Sequence, residues 1–155
     1  MASTLQIRAD ARPAYVRPLR DAVARFASET GLSSVQVYAV KLCVGEAITN
    51  AVRHAYTDSK PGPVDVCAQE VGDDLVVTVA DHGPRRLKSR THTDEVGGFG
   101  LGFISRLTEG CTFTAARDGT TVEMRFALSR VKAQAASAQL SGQMPPQKRL
   151  AARVE

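Results

Sequence analysis

The chain contains no tryptophan, and phenylalanine and tyrosine make up only 5% of its 155 residues. Valine, leucine, isoleucine and alanine must therefore fill the core of a fold of this size. No apolar run approaches the roughly 18–20 residues that a membrane span needs. The first residues also lack the basic and then apolar pattern of a signal peptide. We therefore expect a protein that makes no contact with a membrane.

Cysteines are also few. Cys43, Cys67 and Cys111 lie far apart in the sequence, and each has apolar neighbours. Their spacing matches neither a metal site nor an even-numbered disulfide framework. We expect buried, reduced thiols, which are typical of a cytoplasmic protein.

Most of the chain has no excess of basic residues, although the net charge of the whole chain is +4. Residues 1–129 carry 15 basic and 15 acidic side chains, whereas residues 130–155 carry five basic and one acidic. The neutral body gives no indication of nucleic-acid binding. We expect one domain at 5–129 and a disordered, basic, Ala- and Gln-rich tail at 130–155 that is a solvated extension rather than a binding arm.

Hydrophobic periodicity predicts both strands and helices. The pattern indicates a strand from Leu5, a helix from Pro13 to Gly31, and a heavily buried helix from Ser33 or Ser34 to about Tyr56. Pro18 marks either the first turn of the first helix or a kink. Further strands are expected at 64–71, 75–80, 111–116 and 121–128, with a charged loop at 81–97 and a short helix at 98–107. This order predicts an α+β two-layer sandwich, with helices on one face of an antiparallel or mixed sheet.

Three polar residues recur at intervals of four in the second helix, namely Glu46, Asn50 and His54. Residues four apart share a helical face. The carbonyl oxygen of Asn50 is a suitable ligand for Mg²⁺, and Glu46 could orient or deprotonate a hydroxyl that attacks a phosphate. The alternative is that Glu46 and Asn50 lie on the solvent face and that His54 only ends the helix.

Two segments downstream favour a nucleotide site. Asp81 ends a strand and could accept a hydrogen bond from the amine of adenine, and Gly83 would let a flat ring approach the backbone. The alternative for this pair is an ordinary turn. Gly98, Gly100 and Gly102 open a helix whose N–H groups could face an anion, unless they form only a flexible hinge.

Four cations occupy the loop between these two segments. They could close over phosphates as a lid, or they could simply be solvated. They are Arg85, Arg86, Lys88 and Arg90.

The order of these motifs resembles that of the Bergerat-fold ATPases, the group that includes DNA gyrase, histidine kinases and MutL. Within this group, the chain is most similar to the bacterial anti-sigma factors that are serine/threonine protein kinases. Residues 46–56 resemble their N box, residues 81–84 their adenine box, residues 98–102 their second glycine box, and Gly119-Thr120 the entry to their final strand. The resemblance covers residues 5–128 and excludes the tail.

The resemblance implies a role for each matching residue. Asn50 would coordinate Mg²⁺ and Glu46 would be the general base. Asp81 and Gly83 would bind the adenine of ATP, with Thr120 in support. Backbone groups would wrap the phosphates at Gly98, Gly100, Leu101 and Gly102. Members of the family are typically dimers that bind a sigma factor and phosphorylate an anti-anti-sigma protein of the STAS-domain type.

The chain departs from the family pattern at Arg85, where the adenine box usually has a second glycine. This departure favours an alternative function, in which the protein is a non-catalytic ATP-binding interaction module of the same fold. Glu46 favours the kinase, since a module that only binds has little need of a buried carboxylate. The ATPase half of a histidine kinase ranks third, because no long hairpin carrying a phosphorylated histidine is predicted.

Overall fold

The computed structural model describes residues 3–56, 60–84 and 98–128. In these ranges five strands form one sheet, and three helices pack on one of its faces. The strands are β1 (Thr4–Asp10), β2 (Pro63–Val71), β3 (Asp74–Asp81), β4 (Gly110–Ala116) and β5 (Gly119–Ala127), and the helices are α1 (Pro13–Glu29), α2 (Ser34–His54) and α3 (Gly98–Leu107). The predicted α+β fold is confirmed. The tail at 130–155 and most of the charged loop lie outside the described residues.

The sheet has the strand order β1-β2-β3-β5-β4, and every neighbouring pair is antiparallel. The chain leaves the central strand β3, forms α3 and β4, and returns through β5 to pair with β3. This return places Asp81, the last residue of β3, directly opposite Thr120 near the start of β5. Two segments that are far apart in sequence therefore meet at the end of the central strand.

The core lies between the helices and the inner face of the sheet. Alternate residues of β2, β3 and β5 point into it, as period-two patterning requires. Small and β-branched side chains dominate, as the shortage of aromatic residues predicts. The fully buried ones include Val23, Val40, Val44, Ile48, Val64, Val66, Leu75, Val77, Ile104 and Met124.

Only one of the three cysteines meets the expectation of a buried thiol. Cys43 of α2 is fully buried, whereas Cys67 and Cys111 are only partly buried. Burial, with smaller contributions from the nearby Cys111 and Glu46, raises the pKa of the Cys43 thiol to about 11. Cys43 is therefore protonated at neutral pH and is a core residue, not a nucleophile.

The start of α2 is set by a capping box. The Ser33 hydroxyl accepts the N–H of Gln36 at 3.3 Å, and the side chain of Gln36 accepts the N–H of Ser33 at 3.0 Å. The Gln36 amide also donates to the carbonyl oxygen of Ala127 at 2.7 Å, which ties α2 to the end of β5. In α1, the helix begins at Pro13, so Pro18 lies inside the helix and does not mark its first turn.

The face of the sheet opposite the helices is polar. Arg8 of β1 and Asp65 of β2 form a bidentate ion pair there, at 2.6 and 2.7 Å. A groove of about 450 Å³ runs beside this pair and is lined in part by Gln6, Cys67 and Thr78. None of the helices in the described ranges combines the length and the apolar character that a membrane span requires.

Candidate functional site

The C-terminal end of α2 lies against the turn that follows β3. A Cβ atom at Gly83 would overlap the carbonyl oxygen of Ala55, so the two segments touch at the level of their backbones. Asn50 lies five residues before Ala55, or about 7.5 Å along the helix axis. The contact therefore brings the polar face of α2 and the Asp81 turn to the same end of the fold. It also shows that packing against α2 requires the glycine at 83.

Asp81 is held in place by two backbone amides. Its Oδ1 accepts the N–H of Gly83 at 3.1 Å and the N–H of Thr120 at 3.2 Å. Burial raises the pKa of this half-buried carboxyl, and the two amides oppose that shift. Since both bonds from the described residues go to Oδ1, the second oxygen, Oδ2, can accept a hydrogen bond from a ligand. Asp81 is thus a fixed acceptor at the edge of the core.

The backbone of β5 can approach Asp81 only because residue 119 is a glycine. Gly119 has a φ of 148°, and a Cβ atom there would overlap the carbonyl oxygen of Asp81. This close approach brings the N–H of Thr120 within reach of the carboxylate. Thr120 therefore supports Asp81 through its backbone.

The polar face of α2 is more exposed than the sequence suggested. Asn50 is half-buried, while Glu46 and His54 are exposed. The expectation of a buried carboxylate at position 46 is wrong, because Glu46 lies at the outer margin of the apolar stripe. Glu46 and Asn50 still share one side of the helix, one turn apart.

The glycine-rich segment is part of α3. The helix begins at Gly98, so Gly100, Leu101 and Gly102 lie in its first five residues and not in a loop before it. The first four N–H groups of a helix have no partner within the helix, and they carry its positive dipole end. Because α3 packs against α2, these groups belong to the same side of the sheet as Asn50. The four lid cations at positions 85–90 lie outside the described residues.

Four polar contacts around Tyr56, His82 and Asp65 were not anticipated from the sequence. The Tyr56 hydroxyl donates to the carbonyl oxygen of Pro63 at 2.7 Å and accepts the N–H of His82 at 2.9 Å. The His82 ring lies 2.7 Å from Asp65, which Arg8 also holds. Contacts that span 7 to 57 positions leave no periodic trace in the sequence, so only the fold reveals them.

The chain matches the family model of the histidine kinase-like ATPase domain over residues 9–126. This range contains β2, β3, β4 and all three helices, the last two residues of β1 and all but the last residue of β5, and it includes Asp81, Gly83 and Thr120.

Several curated proteins are similar to the chain. It is 31% identical over 118 residues to a serine-protein kinase RsbW from Oceanobacillus iheyensis, covering 68% of this chain and 75% of the relative. It is 37% identical over 82 residues to serine-protein kinase RsbW from Bacillus subtilis, covering 53% of this chain and 51% of the relative. The matched region thus spans three quarters of the first relative and about half of the second.

Solved structures share the fold. The RsbU and RsbW domains of a Mycobacterium tuberculosis protein superpose with a TM-score of 0.65 at 23% identity, covering 81% of this chain and 32% of the other. The histidine kinase domain of a blue-light activated histidine kinase from Erythrobacter litoralis superposes with a TM-score of 0.55 at 23% identity, covering 79% and 64%. At this level of identity, the likeness concerns the arrangement of strands and helices.

Proposed function

The chain belongs to the histidine kinase-like ATPase family, and we propose that it is an anti-sigma factor that phosphorylates a protein substrate with ATP. The resemblance stated from its motifs, to the serine/threonine protein kinases of this family, is confirmed by the curated relatives. The proposed substrate is a serine or threonine of an anti-anti-sigma protein of the STAS-domain type. The proposed second partner is a sigma factor, which the protein sequesters.

The geometry of Asp81 carries the ATP-binding part of this proposal. The exocyclic amine of adenine is a donor, and it needs an acceptor held at a fixed place. The amides of Gly83 and Thr120 fix Oδ1 and leave Oδ2 for that amine. Half-burial strengthens such a bond, because little water competes for the carboxylate.

The residues of α2 fit a magnesium ion. Mg²⁺ takes few protein ligands and keeps its other positions for water and phosphate oxygens. The side-chain oxygen of Asn50 is the protein ligand that we propose, as the resemblance to the anti-sigma kinases implies. When bound with ATP, Mg²⁺ would neutralise negative charge on the phosphates. Asn50, half-buried on a core helix, would hold its ligand oxygen in one position.

Glu46 is the proposed general base. A hydroxyl on a protein substrate must reach the base from solvent, and Glu46 is exposed on the same side of α2 as Asn50. The carboxylate would accept the proton of that hydroxyl as its oxygen attacks the γ-phosphorus of ATP, and the bond from that phosphorus to the β,γ-bridging oxygen breaks to release ADP. The exposure of Glu46 thus suits a base that serves a protein substrate.

We further propose that the protein works in the cytoplasm as a homodimer and binds neither nucleic acid nor membrane directly. The balanced charge of residues 1–129 supports the proposal that the protein does not bind nucleic acid. The typical behaviour of the family supports the dimer.

One experiment separates the kinase from a non-catalytic module. The protein is incubated with γ-labelled ATP, Mg²⁺ and a purified STAS-domain anti-anti-sigma protein. We expect the label on a serine or threonine of that protein, and we expect Glu46→Gln to abolish transfer while its ATP affinity stays near that of the unchanged protein. Glu29→Gln, an exposed glutamate at the end of α1, is the matched control and should transfer normally.

Binding of ATP without transfer by the unchanged protein would favour the module, which Arg85 in place of the usual glycine also favours. Equal loss of binding and transfer in Glu46→Gln would remove Glu46 from the role of base.

A further inference from the structure

Tyr56 lies just beyond the end of α2, and its hydroxyl joins two other segments. Its Oη donates to the carbonyl oxygen of Pro63, the first residue of β2, at 2.7 Å. The same oxygen accepts the N–H of His82, the residue after β3, at 2.9 Å. One hydroxyl therefore links the end of α2, the start of β2 and the turn that carries Asp81.

The ring of Tyr56 is also held in place by a packing contact. A Cβ atom at Gly62 would overlap the ring, so the ring packs directly on the backbone at that position. Burial raises the pKa of the Tyr56 phenol above its usual value. The hydroxyl is therefore protonated at neutral pH and can donate to Pro63 while it accepts from His82.

His82 lies between the two residues that are proposed to recognise adenine. Asp81 precedes it and Gly83 follows it, so a rotation of the His82 peptide would turn both. The His82 side chain contacts Asp65, but among the described residues only Tyr56 holds its N–H. The N–H of Gly83, one of the two donors that hold the Asp81 carboxylate, therefore follows a residue whose own N–H is held by Tyr56.

We infer that Tyr56 is a positioning residue of the nucleotide site, which sets adenine recognition by holding the backbone of His82. The inference rests on the proposed binding of ATP. Tyr56 acts through Asp81 and Gly83, which would make the contacts to adenine. The residue that follows α2 thereby aligns the base-binding turn, while α2 itself carries Asn50, the proposed magnesium ligand.

The test compares Tyr56→Phe, which removes the hydroxyl and keeps the ring, with the control Tyr38→Phe. Tyr38 is 63% exposed on the outer side of α2, so its hydroxyl can be lost without a structural effect. ATP and GTP affinities are measured by calorimetry well below the melting temperature. We expect Tyr56→Phe to bind ATP roughly three- to tenfold more weakly, in line with the loss of a hydrogen-bonded contact. We expect its GTP affinity to change less.

The selectivity separates positioning from a purely structural role. Local unfolding would weaken ATP and GTP by the same factor, whereas a misaligned Asp81 loses the bond that only adenine makes. A second measurement needs no nucleotide. We expect the backbone amide of His82 to exchange with solvent about tenfold faster in Tyr56→Phe, because its acceptor is gone.

Two outcomes would overturn the inference alone: ATP affinity and selectivity in Tyr56→Phe equal to those of the unchanged protein, or an equal loss for both nucleotides. Absence of ATP binding by the unchanged protein would overturn the proposed function, and the inference with it.

Discussion

Replacing Asp81 with asparagine tests the adenine contact with little disturbance of the fold. The amide oxygen of asparagine can still accept the N–H groups of Gly83 and Thr120, which now lie 3.1 and 3.2 Å from Oδ1. The second oxygen, however, becomes an NH₂ donor that faces the donating amine of adenine. The Asp81→Asn change therefore removes one acceptor and leaves the local backbone bonds in place.

The structure sets the size of the expected effect. A hydrogen bond to a charged acceptor contributes about 1.5–3 kcal/mol, so ATP binding should weaken by roughly 10- to 100-fold. Stability should change by no more than about 1 kcal/mol, because the burial that raises the pKa of Asp81 already disfavours its charge. For a domain of this size, that change corresponds to a shift of the melting temperature of about 4 °C or less.

Calorimetric titration with ATP, together with a thermal melt, measures both quantities. Asp118→Asn is the matched control, since Asp118 is exposed in the turn between β4 and β5 and should have no effect on either. ATP affinity within about threefold of that of the unchanged protein would refute the reasoning, because the carboxylate would then make no contact with the amine.

Two further predictions concern stability. Ser33→Ala should lower the free energy of unfolding, measured in urea, by about 1 kcal/mol, because Ser33 caps α2. The control Ser34→Ala should lower it by less. Equal losses in the two variants would show that the cap does not stabilise the helix. The second concerns acid. The hydrogen bond from Arg8 lowers the pKa of Asp65 to about 2, so the stability this pair contributes is present above about pH 4 and is lost as the pH falls toward 2. The exposure of both side chains keeps this contribution small. In urea melts, Arg8→Met should lower the free energy of unfolding by less at pH 3 than at pH 6. An equal loss at both pH values would show that the ion pair contributes nothing.

The helices and strands were predictable from the sequence because their patterns are local. The capping box at Ser33 and the alternation in β2 each depend on residues a few positions apart. The family resemblance added the one long-range relation that mattered, the approach of Thr120 to Asp81, because it rests on the order of motifs. The antiparallel return of β5 beside β3 then supplied the physical reason for that approach.

Other features of the site were beyond the sequence. The bonds from Tyr56 to His82 and from His82 to Asp65 depend on the register of β2 and β3 and on where α2 ends, which hydrophobic periodicity does not encode. The exposure of Glu46 was missed for a related reason. Its helix is apolar over much of its surface, but the margin of that surface is set by how α1 and α3 pack against it.

The central claim is that the fold binds Mg·ATP between the polar face of α2 and the Asp81 turn. The most direct measurement is a calorimetric titration with ATP, in Mg²⁺ and in EDTA, of the unchanged protein and of Asn50→Ala. We predict saturable binding by the unchanged protein, with Asn50→Ala weaker by about tenfold in Mg²⁺ and equal to it in EDTA, because a single metal ligand is lost. No heat of binding at high protein concentration in Mg²⁺ would contradict the account, and an equal loss in EDTA would contradict the role of Asn50.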